Sequence, residues 1–517
     1  MSTKILWADD EIDLLKPHIL FLKNKGYEVI PAVSGNEAIE ILGSGQNVDI
    51  IFLDENMPGL SGIETLKYIK TTHPHTPVVM ITKSEEEHIM EDAIGSNIAD
   101  YLIKPVNPNQ ILLCLKKNVE NNKIVNEKST MAYQQAFRDI SMKISDSMTV
   151  AEWEMLYKEL VYWELELDKI EDSGVGEILA NQKEEANTQF AKFVTKNYED
   201  WINVRNESRP IFSHTVLKDK LFPNLTDGQT AFLFVVDNLR YDQWKVLQSL
   251  IHPYYRVDEE TLFYSILPTA THYARNAMFA GLMPSEIAKK YPQYWLNEND
   301  EGGKNQFEKP LLEEYLKRFG KSGKISFSKI LNMDFGKKVL DSFNNMMNNM
   351  LNVVVINFVD MLSHARTDVD LIRELANDEK SYRHVTATWF ANSVMLDMIK
   401  YLSEKKIPVY ITTDHGTIKI EKPVKIIGDK QTNSNLRYKV GRSLDCASKD
   451  IFEVKHPESI FLPKENLTSS FVFATGNSFF AYPNNYAHYV NYYKNTFQHG
   501  GISLEEMMIP FIKLLPR

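Results

Sequence analysis

Acidic residues, a threonine and a lysine recur near the N-terminus at positions where they could handle a phosphoryl group. Asp9 and Asp10 follow one apolar run, Asp54 ends another, and Thr82 and Lys104 follow two later runs. Three clustered carboxylates repel one another unless a hard cation such as Mg²⁺ lies between them. A cation, a hydroxyl and an ammonium group around one aspartate can neutralise and orient a phosphoryl group. The spacing predicts Mg²⁺-dependent phosphoryl transfer, provided that the fold brings these residues together.

A second set, in the C-terminal half, combines aspartates, histidines and threonines. Its members are Asp237, Thr269, Thr271, Asp360, His364, Asp414, His415 and His499. The chain has only two cysteines, too few for a thiolate zinc site, so these ligands favour zinc or a similar divalent ion. Their number indicates two ions, which about 4 Å apart can activate a nucleophile and stabilise a leaving oxygen. The same ligands accept Mn²⁺, so the choice of metal stays open.

The first set requires a parallel sheet, and the first 120 residues predict one. Five β-branched runs alternate with amphipathic stretches: Lys4–Ala8, Tyr27–Pro31, Asp49–Leu53, Pro77–Ile81 and Asp100–Ile103. Repeated strand–helix units with short connections predict a doubly wound, flavodoxin-like α/β domain. Ligand sites in such folds lie beyond the carboxyl ends of the strands, where the first set is found.

Residues 1–120 resemble the receiver domain of two-component response regulators. The matching motifs are Ala8-Asp9-Asp10-Glu11, Leu53-Asp54-Glu55-Asn56-Met57-Pro58-Gly59, Thr82, Tyr101 and Lys104-Pro105. The resemblance implies that a sensor histidine kinase phosphorylates Asp54. It implies that the Mg²⁺ ligands are Asp9, Asp10, Asp54 and the carbonyl of Asn56. It also implies that Thr82 and Lys104 contact the phosphoryl oxygens and that Tyr101 is the switch aromatic. A degenerate receiver that is not phosphorylated is the alternative.

Residues 121–206 are predicted to form a helical bundle or connector of about three helices. The segment lacks proline, and apolar residues recur at helical spacing from Trp153 through Leu167 to Ile170. The Gly174-Val175-Gly176 break predicts a turn between helices. We expect the aromatic residues in the bundle core or in a dimer seam; they are Trp153, Tyr157, Tyr162 and Trp163. No helix-turn-helix with a basic recognition face is visible in this segment.

The α/β pattern returns in residues 207–517 and places the second set at strand ends. The four apolar runs that precede its members are Ala231–Val236, Leu262–Leu267, Val353–Val359 and Pro408–Thr412. Buried parallel strands present their carboxyl ends together, so the second set should meet in one crevice. For any single residue, a helix cap or an ordinary core histidine is the alternative.

Residues 207–517 resemble the PglZ branch of the alkaline phosphatase superfamily. The motifs that carry the resemblance are Val236-Asp237-Asn238-Leu239-Arg240-Tyr241-Asp242, Pro268-Thr269-Ala270-Thr271-His272-Tyr273-Ala274-Arg275, Asp360-Met361-Leu362-Ser363-His364, Thr413-Asp414-His415-Gly416 and His499-Gly500-Gly501-Ile502-Ser503. The resemblance implies two zinc sites: Asp237, Thr271, Asp414 and His415 hold one ion, and Asp360, His364 and His499 hold the other. It makes Thr271 the nucleophile that forms a phosphothreonine, with Thr269 as the competing hydroxyl. Asn238, Arg240 and Arg275, in the same motifs, are expected to bind substrate.

The order of the three regions resembles that of the PorX-type response regulators of the type IX secretion system. It implies a zinc-dependent phosphodiesterase that acts on linear or cyclic nucleotide or oligonucleotide messengers as a phosphorylation-dependent homodimer. The alternative is a catalytically silent protein whose phosphorylation exposes a surface for a sigma factor or a secretion-system component. The cations between Lys419 and Arg442 either bind substrate phosphates or form a solvated insertion face; they are Lys422, Lys425, Lys430, Arg437, Lys439 and Arg442.

Composition bounds these expectations. A chain of 517 residues predicts about three domains, and 43% hydrophobic with 25% charged residues is typical of globular proteins. The net charge of -11 disfavours binding to duplex DNA by bulk charge. Met1 to Lys4 lead directly into a short apolar stretch, and no apolar run approaches the about 20 residues of a membrane helix. We therefore expect a cytoplasmic protein without a membrane insertion.

Overall fold

The computed structural model of the chain divides into two compact units, Met1–Ala132 and Tyr133–Arg517. The predicted domain boundaries at residues 120 and 206 stay predictions. No helix in the described part of the chain is both long and apolar enough to cross a membrane. The residues that the structure describes are 3–44, 46–73, 76–83, 98–169, 173–204, 209–226, 228–368, 370–429, 432–442, 444–446, 451–464, 466 and 468–517.

The first unit contains a five-stranded parallel sheet in the order β2-β1-β3-β4-β5. Its strands are β1 (Lys4–Ala8), β2 (Glu28–Ala32), β3 (Ile50–Asp54), β4 (Val78–Thr82) and β5 (Asp100–Ile103). Its described helices are α1 (Lys16–Asn24), α2 (Gly35–Gly43), α3 (Gly62–Thr72) and α4 (Pro108–Leu115), the last continued by a π-helical turn over Lys116–Glu120. This order confirms the predicted doubly wound fold.

Alternation along the strands explains why both faces of this sheet are covered. On β1, Ile5 and Trp7 pack into one apolar cluster, and Leu6 and Ala8 pack into a second one. Successive side chains of a strand point to opposite faces, so a run that is apolar throughout must be buried on both sides.

Three helices form the middle of the chain, which confirms the predicted helical region. They are α5 (Asn121–Lys143), α6 (Val150–Leu167) and α7 (Ser173–Asn203). A capping box between Thr149 and Glu152 starts α6. The rings of Trp153 on α6 and Phe190 on α7 meet edge to face with centroids 5.3 Å apart. Helices α6 and α7 therefore pack against each other within the second unit.

The structure differs from the helical prediction at Gly174 and Gly176, and it gives the burial of the predicted aromatic residues. Gly174 and Gly176 lie in the first turns of α7, so the turn predicted at these glycines is wrong. The first amides of a helix have no intrahelical partner, and glycine is less disruptive there than in the middle of a helix. Ile170 lies outside the described residues. Of the four predicted aromatics, Trp153 and Tyr157 are buried, Trp163 is half-buried and Tyr162 is exposed.

The C-terminal part of the second unit is built on a six-stranded sheet in the order β7-β18-β10-β6-β9-β8. Strands β10, β6, β9 and β8 are parallel, and β18 runs antiparallel to both β10 and β7. The strands are β6 (Ala231–Val236), β7 (Tyr255–Tyr264), β8 (Ile325–Ile330), β9 (Leu351–Ile356), β10 (Val409–Thr412) and β18 (Met508–Pro516). Carboxyl ends of β6, β9 and β10 therefore meet along one edge.

Helices and a small β-rich insertion complete this part of the chain. The helices are α8 (Ser213–Val216), α9 (Tyr241–Ile251), α10 (Thr271–Ala280), α11 (Pro284–Lys290), α12 (Glu308–Arg318), α13 (Met333–Asp341), α14 (Phe343–Met346), α15 (Phe358–Asp368), α16 (Asp370–Leu375), α17 (Glu379–Ala391), α18 (Val394–Glu404), α19 (Tyr486–Tyr493) and α20 (Leu504–Met507). The insertion, between β10 and β18, contains β11 (Ile418–Lys419), β12 (Lys422–Lys425), β13 (Tyr438–Arg442), β14 (Ile451–Val454), β15 (Ser469–Ala474), β16 (Ser478–Ala481) and β17 (Phe497–Gln498).

Candidate functional site

Adjacent strands bring Asp237, Asp414 and His415 together. Asp237 directly follows β6, and Asp414 and His415 follow β10, which pairs with β6 in parallel. Asn238 adopts a left-handed backbone conformation, with φ of 66°. Its amide lies 3.5 Å from the Asp414 carboxylate, to which it donates a hydrogen bond. The ligand atoms of the three residues lie within 4.8 Å of one another, and all three are buried.

The Thr271 hydroxyl lies against this trio. It is the first residue of α10, and its Oγ1 is 3.3 Å from Asp237 Oδ1 and 3.0 Å from His415 Nε2. His415 Nδ1 lies 3.1 Å from the carbonyl of Gly416, and because a carbonyl only accepts, Nδ1 carries the proton. The lone pair of Nε2 therefore faces the hydroxyl and the two carboxylates, as a metal ligand requires.

Thr269, the competing hydroxyl, is engaged elsewhere. It is fully buried, donates to the carbonyl of Gly501 at 2.8 Å and accepts from the amide of Gly500 at 3.1 Å. These bonds hold the loop that follows β17 against the start of α10. Of the two threonines, Thr271 is the one whose hydroxyl contacts candidate ligands.

A second trio consists of Asp360, His364 and His499. The predicted strand ends earlier than expected, at Ile356, and Asp360 lies in the first turn of α15. His364 follows one turn later, with its Nε2 3.5 Å from Asp360 Oδ2. His499 Nε2 is 3.7 Å from Asp360 Oδ1, and its Nδ1 donates to the carbonyl of Thr269 at 3.2 Å. Again the ligand atoms lie within 4.8 Å of one another.

The two trios are neighbours. The rings of His415 and His499 stack with centroids 4.2 Å apart. Asn238 spans both trios, because its side-chain amide donates to Asp360 at 3.4 Å while its backbone amide reaches Asp414. The sequence-predicted ligands are thus assembled as two adjacent sets.

Electrostatics at these carboxylates fit divalent cations. Burial, followed by the charge of Asp237, raises the pKa of Asp360 to about 6 and raises that of Asp414 well above its usual range. Oδ2 of Asp414 is buried and has no hydrogen-bond partner among the described residues. Burial also lowers the pKa values of His415 and His499, which favours the neutral imidazole that binds metals. A cation between these groups would relieve the repulsion and satisfy the unpaired oxygen.

Arg275 lies behind the first trio. It is buried, its Nη1 is 2.5 Å from Asp237 Oδ2, and its Nε donates to Glu308 at 2.7 Å. Burial opposes ionisation of Asp237, but Arg275 and His415 together outweigh it and lower the pKa of Asp237. The arginine therefore keeps this carboxylate charged, and its predicted role in substrate binding stays a prediction.

Arg240 and Asn238 are also enclosed. Arg240 is fully buried, forms ion pairs with Asp242 and Glu379, and lies over the rings of Tyr382 and Phe497. Asn238 is fully buried as well and also donates to the Ser363 hydroxyl. Substrate contact by either side chain stays a prediction, and a buried, ion-paired guanidinium is poorly placed for it.

A polar chain behind Thr271 was not predicted from the sequence. Glu308 accepts from Arg275 and forms an ion pair of 2.7 Å with Lys329. Lys329 also donates to the carbonyl of Asn305, whose side-chain amide donates to the carbonyl of Thr271 at 2.9 Å. The chain thus joins the ligand Asp237 to the backbone of Thr271. Glu308 and Lys329 stand in charge-rich stretches, where nothing in the sequence separates them from surface charges.

The cations of the Lys419–Arg442 segment have different environments. Arg437 is buried with Nη2 2.6 Å from Glu506 Oε2, and Lys439 is buried with its Nζ 4.6 Å from the centre of the Tyr482 ring. Burial lowers the pKa of Lys439 to about 7. Lys422 pairs with Glu184, and Lys425 lies over Tyr486. Lys430 lies outside the described residues. Phosphate binding by this segment stays a prediction.

The receiver residues converge at the carboxyl ends of β1 and β3. Lys104 Nζ lies 2.8 Å from Asp9 Oδ2 and 3.0 Å from Asp54 Oδ2. The amide of Lys104 donates to the carbonyl of Thr82, the last residue of β4. Asp9, Asp10 and Asp54 have ligand atoms within 4.8 Å of one another. Asn56 is exposed in the loop after β3, and Tyr101 on β5 is 38% exposed.

The negative charges around Asp54 are only partly compensated by Lys104. Burial raises its pKa, Lys104 lowers it, and Asp9 and Asp10 raise it again. Its Oδ1 is buried without a hydrogen-bond partner in the described part of the chain. These features fit a small hard cation held by the three carboxylates.

Comparison with protein families agrees with this geometry. The model of the BREX system PglZ alkaline phosphatase-like domain matches residues 216–514, more than half of the chain. The PorX response regulator linker domain matches residues 123–202, and the response regulator receiver domain matches residues 5–116. Alkaline phosphatase-like and receiver domains are both metal-using classes, in keeping with the three acidic clusters.

Individual relatives match the receiver region. The transcriptional regulatory protein ResD of Bacillus subtilis is 35% identical over 115 residues, and SrrA of Staphylococcus aureus is 32% identical over 116 residues. Each match covers 22% of this chain and 47% of the relative, so the chain spans about half the length of these curated proteins. A solved structure of the Vibrio cholerae chemotaxis protein CheY4 is 28% identical, with a TM-score of 0.22, covering 23% of this chain and 99% of that one.

The three regions occur in one chain, and the largest carries both candidate metal-ligand trios. With its receiver and linker regions, the chain is a PorX-type response regulator, and it belongs to the PglZ alkaline phosphatase-like family.

Proposed function

We propose that the C-terminal domain is a zinc-dependent phosphodiesterase with Thr271 as its nucleophile. The observation that carries this proposal is the position of the Thr271 hydroxyl, 3.3 Å from Asp237 and 3.0 Å from His415, at the edge of two adjacent ligand trios. A protein that only binds partners has no need of a hydroxyl in this place. Two zinc ions would be held by Asp237, Asp414, His415 and Thr271, and by Asp360, His364 and His499.

In the proposed reaction, Thr271 Oγ1 attacks phosphorus, and the bond from phosphorus to the leaving oxygen breaks. The result is a threonine phosphodiester that keeps the second ester group of the substrate, and an alcohol that takes up the proton lost by the hydroxyl. Water then cleaves the bond between Thr271 Oγ1 and phosphorus, which releases a phosphomonoester and restores the hydroxyl. Bound zinc supplies the acidity that ionises the hydroxyl and stabilises the leaving oxygen. Arg275 keeps Asp237 charged, and Asn305 fixes the backbone of Thr271. Nucleotide or oligonucleotide messengers, linear or cyclic, are the proposed substrates.

The receiver regulates this activity in the proposal. A sensor histidine kinase phosphorylates Asp54, Mg²⁺ binds at Asp9, Asp10, Asp54 and Asn56, and the phosphorylated chain forms a homodimer in the cytoplasm. Support comes from the convergence of Asp9, Asp54 and Lys104 and from the receiver family match. Control of type IX secretion is the proposed cellular role, and it rests on the similarity of the linker region.

Replacing the nucleophile tests the proposal. We expect Thr271→Ala to retain zinc and fold while its turnover of a chromogenic phosphodiester falls about 10³-fold or more, the scale of losing a catalytic group that acts as part of a unit. His499→Ala is the matched variant: it should lose zinc and regain part of its activity in excess zinc. Hydrolysis by Thr271→Ala at the wild-type rate would exclude Thr271 as nucleophile. If zinc-loaded wild type hydrolyses no diester, the alternative of a silent binding protein for a sigma factor or secretion component takes its place.

A further inference from the structure

Helix α19, which precedes β17 and His499 in the chain, presents aromatic rings to solvent. Tyr489 is 41% exposed, Tyr492 is 37% exposed, and His488, whose ring contacts both, is also exposed. These three residues are called the tyrosine face below. An adjoining side of the helix anchors it, because Val490 and Tyr493 pack against an apolar cluster of the insertion. The outward rings are therefore not needed to bury the helix.

Contacts between neighbouring rings restrain the side chains of the tyrosine face. Tyr489 stacks on Tyr493 with centroids 6.3 Å apart and planes at 12°, and His488 stacks on Tyr492 at 6.4 Å and 20°. Tyr492 also meets Tyr493 edge to face at 4.9 Å. Tyrosine has few rotatable bonds, so rings that are already paired lose little entropy when a flat ligand stacks on them.

The charges around the tyrosine face favour an anion. The guanidinium of Arg373 lies 5.8 Å from the centre of the Tyr492 ring. Lys425 Nζ lies 4.8 Å from the centre of the Tyr486 ring. Lys494 is exposed directly after the helix. No aspartate or glutamate occurs between Glu465 and Glu505, although the whole chain carries 69 acidic residues. In an acidic protein, this segment is a local exception that attracts polyanions.

Short chain segments and packed elements connect the tyrosine face to the second candidate ligand trio. Helix α19 leads through β17 into His499, and the seven residue steps from Tyr492 to His499 span at most about 25 Å. Helix α15, which carries Asp360 and His364, packs against β17, and α16, which carries Arg373, follows it. The side chain of His364 is 61% exposed, so this trio has an open side.

We propose that the tyrosine face is a stacking platform for the bases of a single-stranded oligonucleotide whose scissile phosphodiester lies at the metal-ligand trios. The inference rests on the proposed phosphodiesterase function. Flat aromatic rings flanked by cations are the elements of sequence-tolerant single-strand binding, because every base has a π face and every linkage a negative charge. Bases paired in a duplex are not free to stack on protein rings, so a single strand should bind better than the duplex of the same sequence.

Binding of a labelled single-stranded oligonucleotide of about 8 nucleotides, followed by fluorescence anisotropy, tests this platform. The zinc-loaded Thr271→Ala protein is the background, so that the probe is not cleaved. Adding Tyr489→Ala or Tyr492→Ala should raise Kd about 5-fold or more each, the range for loss of one stacked base. Tyr492→Phe, which keeps the ring, should bind as the background does. Tyr162→Ala, a comparably exposed tyrosine of α6, is the matched control and should also leave Kd unchanged.

The cations give a second readout. Arg373→Ala and Lys425→Ala should weaken binding at low salt and reduce the slope of log Kd against log salt by about 1 each. A purely structural role of these side chains would not change the slope.

The outcomes separate the inference from the proposed function. If wild type hydrolyses a small chromogenic diester but the tyrosine variants bind the oligonucleotide normally, the proposed stacking platform is wrong and the proposed phosphodiesterase function is retained. If wild type hydrolyses no diester, the proposed function falls and the platform falls with it. If the tyrosine substitutions change the sedimenting mass of the protein and leave oligonucleotide binding intact, the face is a protein interface and the proposal is overturned.

Discussion

At the scale of single residues, Asp360 would set a pH limit on the proposed metal binding. Its pKa is raised to about 6, by burial first and by the charge of Asp237 second. The folded, metal-free protein holds this proton more tightly than the unfolded chain does, so ionisation of Asp360 costs stability as the pH rises through about 6. Zinc requires the carboxylate and therefore competes with the proton.

We expect the affinity for zinc to fall as the pH is lowered through about 6, and the stabilisation by zinc to grow as the pH is raised through the same range. Calorimetric zinc titrations and thermal melts across this range measure both effects. Asp360→Asn is the matched variant, because it cannot lose a proton and should lack this component of the pH dependence. A wild-type affinity that does not change between about pH 5 and 7 would contradict the prediction.

Lys329 gives a second prediction at the residue scale. It contacts Glu308 and the carbonyl of Asn305, and through them it is connected to Asp237 and Thr271. Lys329→Met should lower kcat about 10-fold, the usual scale for a lost outer-shell partner, with less effect on KM. Steady-state kinetics measure kcat and KM separately, and the zinc content shows whether the metal is retained. Lys337→Met, at an exposed lysine of α13, is the control. Unchanged kcat in Lys329→Met would show that the chain does not position the nucleophile.

At the scale of elements, buried charges join α6 to the helices around the active site. Arg383 on α17 is 1% exposed and contacts Glu164, Asp168 and Asp242 at 2.6–2.9 Å. Lys183 on α7 adds a contact of 2.8 Å to Glu164. Glu164, Asp242 and Glu379 have the spacing of a metal site, but these cations and Arg240 already neutralise them.

Removing the charge of Arg383 should destabilise the protein strongly, because it leaves buried carboxylates unpaired. We expect Arg383→Leu to lower the free energy of unfolding of this unit by about 3–5 kcal/mol. Lys143→Leu removes an ion pair of 3.2 Å with Glu159 that is largely exposed, and should cost less than about 1 kcal/mol. Urea denaturation followed by circular dichroism compares the two. Similar midpoints for both variants would mean that the buried network does not hold the helices in place.

Elements also show what the sequence could predict. The receiver strands were predicted within one residue, because regular alternation of short apolar runs and helices leaves little choice of register. Strand β18 was not predicted, since antiparallel insertion between β7 and β10 depends on contacts far apart in sequence. The run expected to extend to Val359 ends at Ile356 and continues as helix, because its apolar residues fit either period. The motifs of the sequence identified the candidate ligands, whereas the roles of Glu308 and Lys329 depend on tertiary packing.

At the scale of the whole molecule, the chain consists of two compact units, and each contains a candidate metal site. In the first unit Lys104 is shared by Asp9 and Asp54, and a phosphoryl group on Asp54 would bring additional negative charge to the same ammonium. Tyr101 lies on β5, which pairs with β4 where β4 ends at Thr82, and it is 38% exposed, so a change in its rotamer would alter the surface of this unit. The last strand and helix of this unit would then present a changed surface.

Phosphorylation should therefore change the mass of the protein in solution. We expect the full-length chain to sediment as a monomer without modification and as a dimer with Mg²⁺ and beryllofluoride, which mimics the phosphoryl group on Asp54. Asp54→Asn cannot bind the mimic and should keep the monomer mass, while Tyr101→Ala should bind the mimic but dimerise less. Chelation of zinc followed by restored Mg²⁺ should leave dimerisation intact, because the receiver carboxylates bind Mg²⁺ without the C-terminal trios. A wild-type mass that does not change with the mimic at micromolar concentrations would contradict this mechanism, since dimerisation is the proposed link between Asp54 and the activity of the PglZ domain.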